Sequence, residues 1–158
     1  MREGGLSGLA FRIRQELSEL ERVQERISEG WQRARRSNDD YYLDSVALNL
    51  HGFYSGLERI FTLIASNIDG DLPQGENWHT LLLEQMTKEV PRVRPAVLSS
   101  KVARRLNEYR GFRHVVRNVY TYRFDPARVE KLAVSAPNLL AALKDELTAF
   151  AAFLDEGG

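Results

Sequence analysis

Apolar residues recur at steps of three and four along the first part of the chain: Leu6, Leu9, Ile13, Leu17, Leu20, Val23, Ile27 and Trp31. The positions between them are mostly Arg, Glu, Gln and Ser. Such spacing returns to one side of a helix at every turn, so it predicts one amphipathic helix over residues 6–36 with a single buried stripe. Asn38-Asp39-Asp40 breaks the pattern and offers capping side chains for a second helix. That helix is predicted over 41–68, apolar on more than one face and therefore central to the fold. Gly52 and Gly56, four residues apart, suggest close approach of a neighbouring helix on one side.

Turn chemistry then fills Asp69 to Asn77, and a shorter helix is expected over 78–89. Pro91 and Pro95 bracket a connector that can hold no regular helix. A fourth helix should start near Ser99-Ser100 and reach Tyr120. Asp125-Pro126 supplies a cap followed by a first-turn proline, the preferred order at a helix start. The last helical segment reaches Leu154, with a break or restart expected at Ser135-Ala136-Pro137. No strand pattern, internal repeat or low-complexity run is visible. The expected fold class is all-α: one domain over 1–158, a bundle of about five helices with two long antiparallel ones.

Composition narrows the function classes. The chain has 158 residues, 43% of them hydrophobic, which suits one globular core. Basic and acidic residues balance at 22 each, which argues against coating nucleic acid or membrane with the whole surface. There is no cysteine, so disulfides, thiolate metal sites and cysteine nucleophiles are excluded together. The N-terminus lacks the apolar core of a signal peptide, and no stretch approaches the roughly 18 apolar residues of a membrane span. A cytoplasmic location, away from membranes, is expected.

Charge is distributed unevenly. Residues 101–123 hold seven basic side chains (Lys101, Arg104, Arg105, Arg110, Arg113, Arg117 and Arg123) against one acid, Glu108, a local charge of +6 in a neutral chain. Val102, Leu106, Tyr109, Val116 and Val119, with Phe112 alongside, are expected to form the buried stripe of that helix. Arg110, Arg113 and Arg117 each follow the stripe by one position, at the border between core and solvent. Tyr120 follows Arg113 by seven residues, about two turns, and is expected on nearly the same face. A row of guanidinium groups beside a phenol can bind phosphate. The competing reading is a solvated face whose arginines pair with acids on the first helix. His114 is a candidate for proton transfer, since histidine titrates near neutrality, although a lone helical histidine is more often structural. His51 and His79 have no sequence-local partners in metal-ligand spacing, and Asp39-Asp40 and Asp69-x-Asp71 are turn-like; no metal or cofactor is expected.

The run Phe112-Arg113-His114-Val115-Val116-Arg117-Asn118-Val119-Tyr120 resembles the signature helix of HepT-like proteins in the HEPN superfamily. The segments FYSGLERIF (53–61), NWHTLLLEQM (77–86) and RPAVLSS (94–100) agree with it, and the likeness spans about residues 40–154 in the expected order. The resemblance implies an RNA-cleaving toxin that works as a homodimer without metal. Its usual partner is a nucleotidyltransferase antitoxin that transfers AMP to the motif tyrosine. The motif is Arg, four residues, His, one residue, Tyr. Carried over, its arginine is Arg113 and its tyrosine is Tyr120; Arg110 and Arg117, from the charge row itself, are the further candidates for binding RNA phosphate. The histidine position holds Asn118, which cannot act as a general acid or base at neutral pH. Either His114, one helical turn from Asn118, has taken over proton transfer, or the chain is a degenerate module. Such a module would bind nucleotide, RNA or a nucleotidyltransferase partner without cleaving.

Overall fold

The stripes read along the sequence become contact faces in the computed structural model, which describes residues 3–157. Among these residues there are five α-helices: α1 (Glu3–Ser37), α2 (Tyr41–Ile64), α3 (Trp78–Met86), α4 (Ser100–Asn118) and α5 (Pro126–Asp155). There is no strand among them, only an isolated bridge between Val90 and Arg94. The fold class is all-α, a helical bundle.

Helix α1 places Leu9, Ile13, Leu17, Leu20 and Ile27 in the core as the periodicity requires, with Leu6, Val23 and Trp31 partly buried against it. It runs antiparallel to both α2 and α5. Its Glu16 meets Arg59 of α2, while Arg14 pairs with Asp155 and Glu21 with Lys144 of α5. Helix α2 packs against α1, α3, α4 and α5, which is why it is apolar on several faces. Its side chains Phe53, Tyr54, Leu57, Ile60 and Phe61 are essentially inaccessible. Each large apolar side chain so buried contributes on the order of 1.5–3 kcal/mol.

Several sequence expectations change. The two glycines of α2 differ: a Cβ at Gly56 would lie 2.8 Å from Leu20 Cδ2, whereas one at Gly52 would meet nothing within 4 Å. Only Gly56 serves close packing; the second tight glycine is Gly30 on α1, against Val46. Asp40 makes no side-chain cap at the start of α2; Asp39 Oδ1 accepts the Tyr41 N–H at 3.0 Å instead. The α-helix ends at Ile64 and continues as one wider turn, Ala65–Asp69, closed by Gly70 in the left-handed conformation (φ 66°). Helix α3 stops at Met86, whose carbonyl accepts the amides of Val97 and Leu98. The expected break at Pro137 does not occur, since α5 is continuous through it. The proline leaves one carbonyl without its helical donor. In the preceding turn the Tyr109 hydroxyl donates to the Leu132 carbonyl at 2.7 Å and lies 2.6 Å from Ser135 Oγ, fastening α5 to α4 beside the proline.

Arg94 holds the connector before α4. Its side chain is fully buried, with Nε 2.6 Å from Asp69 Oδ1 and Nη2 2.8 Å from Oδ2. The remaining donors reach the carbonyls of Gln85, Lys88 and Pro95. A buried guanidinium is tolerable only when its charge is paired and its donors are satisfied. This one ties the end of α2, the end of α3 and the proline connector together. Helix α4 then starts where expected, with Ser99 Oγ accepting the Val102 amide, and α5 is capped by Asp125 through the Ala127 amide.

Candidate functional site

Helix α4 lies across α2 with Val102, Leu106, Tyr109 and Phe112 buried. Val116 is only partly buried against the core and Val119 half-buried, so the stripe fades over the last turn. The two helices run in opposite directions. Tyr41, Leu43 and Asp44 at the start of α2 line a small cavity with Thr121, Tyr122 and Phe124, just past the end of α4.

Arg113 is the best-anchored cation of the basic segment. Its side chain is 17% exposed, Nε donates to Ser55 Oγ at 3.0 Å, and Nη1 lies 3.9 Å from Glu58 Oε1. Glu58 is itself buried and accepts from His79 Nδ1 at 2.6 Å. The His79 ring packs against Trp78, with centroids 3.6 Å apart. A buried carboxylate thus has an imidazole on one oxygen and a guanidinium near the other. Ser55, Glu58, Trp78 and Arg113 also line an open cleft of about 1030 Å³ with Arg12, Glu16 and Arg59. Among the described residues, no arginine of α4 pairs with an acid of α1. Arg113 turns to α2 and Arg110 donates to Asn107 on its own helix.

His114 and Asn118 share an exposed face. The Asn118 amide donates to the His114 carbonyl at 2.8 Å and lies 3.3 Å from His114 Nδ1. They are adjacent, as their spacing requires. Tyr120 is placed differently from the sequence reading. Helix α4 ends at Asn118, Val119 and Tyr120 are extended, and Tyr120 lies outside the helix on which it was expected. Its ring, 74% exposed, lies nearly parallel to that of Tyr122, with centroids 5.9 Å apart and planes 9° apart. Arg123 sits over the Tyr122 ring.

Sequence reasoning left His51 and His79 aside. His51, half-buried on α2, is near both Arg113 and Arg117. Burial pushes its imidazole below the ordinary value, and the two arginines push the same way, against an opposing pull from Glu58. The available signal was the helical spacing of His51, Ser55 and Glu58, which puts them on one face of α2. Among the described residues no group of three or more His, Asp or Glu side chains could hold a metal ion, and no helix is long and apolar enough to cross a membrane.

A family model described as HepT-like protein matches residues 45–154, which include α3, α4, nearly all of α2 and almost the whole of α5. No curated protein matches the chain, and no solved structure does.

Proposed function

The chain belongs to the HepT-like family, and on that premise we propose that it is a metal-independent endoribonuclease toxin, working in the cytoplasm as a homodimer. Arg113, with Arg110 and Arg117 beside it, holds a phosphodiester of RNA and stabilises the charge that builds on it. His114 moves a proton, with Asn118 as its hydrogen-bonding neighbour. A nucleotidyltransferase antitoxin neutralises the toxin by transferring AMP to Tyr120, whose exposed ring is open to modification.

The observation that carries this reading is the fixing of Arg113. A solvated arginine on a neutral surface gains little from such anchoring. A guanidinium held by a hydroxyl and a buried carboxylate, on a helix of local charge +5, is positioned in advance for an anion. The test is RNA cleavage by purified protein with a chelator present, beside Arg113→Ala. Chelator-resistant cleavage that the variant loses supports the reading. A folded wild-type dimer that leaves RNA intact refutes it.

One observation favours a second reading. The motif's histidine position is occupied by Asn118, whose amide is engaged with the His114 carbonyl. A non-catalytic module would use the same arginines to bind nucleotide, RNA or a nucleotidyltransferase, with salt-sensitive affinity and no cleavage.

A further inference from the structure

Ser55 and Arg113 are in contact across α2 and α4, and the two helices run in opposite directions. One turn back along α2 from Ser55 is His51, and one turn on along α4 from Arg113 is Arg117. The antiparallel register therefore brings His51 up to the gap between Arg113 and Arg117, the two cations that would hold a phosphate. His114, by contrast, lies on the exposed face of α4 beside Asn118.

We propose that His51 takes the 2′-hydroxyl proton during RNA cleavage at the Arg113–Arg117 site. This rests on the ribonuclease reading given above. The imidazole accepts the proton through its unshared nitrogen pair. The 2′-oxygen forms a bond to phosphorus, and the bond from phosphorus to the 5′-oxygen breaks. The leaving oxygen takes a proton from cationic His114, giving a 2′,3′-cyclic phosphate and a 5′-hydroxyl; water restores both histidines.

The surroundings suit a base. Burial disfavours a cationic imidazole and the two guanidiniums beside it add to that, so His51 enters the reaction neutral and able to accept a proton. The groups that bear on its charge are Arg113 and Arg117 from α4 and Glu58 from its own helix. A bound phosphodiester offsets the two arginines, and the imidazole becomes a stronger base when substrate arrives.

The discriminating substrate is an aryl ester of a nucleoside 3′-phosphate, whose phenolate leaves without needing a proton. On this substrate His51→Gln should fall by about 10²-fold or more in kcat relative to wild type, with KM little changed. A His51→Gln variant that cleaves within about threefold of wild type overturns the proposal and leaves the ribonuclease reading intact. A wild type inert on both RNA and the aryl ester overturns the ribonuclease reading, and the proton step with it. A measurement on the unmodified protein guards against a variant that fails to fold. In a histidine NMR titration, inorganic phosphate should raise the apparent pKa of His51. A value that ignores phosphate rules out His51 as the base at this site.

Discussion

Arg113 Nε donates to Ser55 Oγ at 3.0 Å, so the cation on which the site depends is aimed by a hydroxyl on another helix. Glu58 lies one turn further along α2, and His79 holds that carboxylate from α3. Three helices thus converge on one guanidinium, while the neighbouring His114 face stays open to solvent.

Removing the hydroxyl should loosen the guanidinium without loosening the fold. A hydrogen bond to a charged group contributes about 1.5–3 kcal/mol, but Ser55 is only partly buried and Arg113 keeps Glu58 nearby. Ser55→Ala should therefore lower kcat/KM for RNA about tenfold and leave the thermal midpoint almost unmoved. Kinetics measured beside a melting curve separate the two effects. A variant with wild-type kcat/KM would show that Ser55 does not position Arg113.

The two glycines of α2 should respond with opposite sign. A methyl at Gly56 would sit 2.8 Å from Leu20 Cδ2 and force that buried side chain to repack, costing about 1–3 kcal/mol. A methyl at Gly52 meets nothing and removes the glycine penalty, adding roughly 0.5–1 kcal/mol of stability. Urea unfolding of Gly56→Ala and Gly52→Ala checks both signs, and equal shifts would contradict the α1–α2 contact.

Arg94 and Asp69 should be among the residues least tolerant of truncation. Breaking a buried ion pair from one side strands the other charge, at a cost of about 3–5 kcal/mol. Both variants should melt far below wild type: Arg94→Ala also opens the carbonyl contacts to Gln85, Lys88 and Pro95, and Asp69→Ala also loses the bond it accepts from the Gln85 amide. A double-mutant cycle should show that the two losses are not additive.

The pattern of the sequence was enough for the helices and not for their contacts. The apolar stripe of α1 and the caps at Ser99 and Asp125 are local, and each was legible within a few residues. Pro137 does not break α5, and the bond that Tyr109, 28 positions earlier in the chain, makes to the turn before it is not legible locally. Arg94 and Asp69 lie in two separate turns, and nothing in either says that they meet. In the candidate site, the arginines were visible as a charge run, whereas the side chains that aim them belong to α2 and α3. Periodicity names the face a residue occupies; it does not name the face opposite.

His51 makes the fold sensitive to mild acid. Burial, Arg113 and Arg117 lower its folded-state pKa, while the unfolded chain protonates near the ordinary value of about 6.5. Above that pH both states are neutral at this position and nothing is lost. As pH falls below it, the unfolded state binds the proton first, so stability declines until the folded-state imidazole also protonates. His51→Gln should therefore lose less stability than wild type between neutral pH and about 5, as measured by urea midpoints at each pH. Parallel curves for the two proteins would mean that His51 is not held neutral by the fold.

Asn118 offers the most direct test of how far the site has departed from its family. The HepT-like resemblance puts a histidine at this position, five residues after Arg113, and the side chain here is exposed at the last turn of α4. Replacing it should leave stability within about 0.5 kcal/mol, since only the surface bond to the His114 carbonyl is lost. Asn118→His would place a second imidazole one turn from His114. If proton transfer limits the wild type, cleavage should rise by about 10²-fold and acquire a new ionisation in its pH profile. If His51 and His114 already supply both proton transfers, the rate should barely change, while Arg113→Ala abolishes it in either background. A rise that survives Arg113→Ala would separate the chemistry from the phosphate site altogether, and the arrangement of α2 against α4 would then have to serve something other than cleavage.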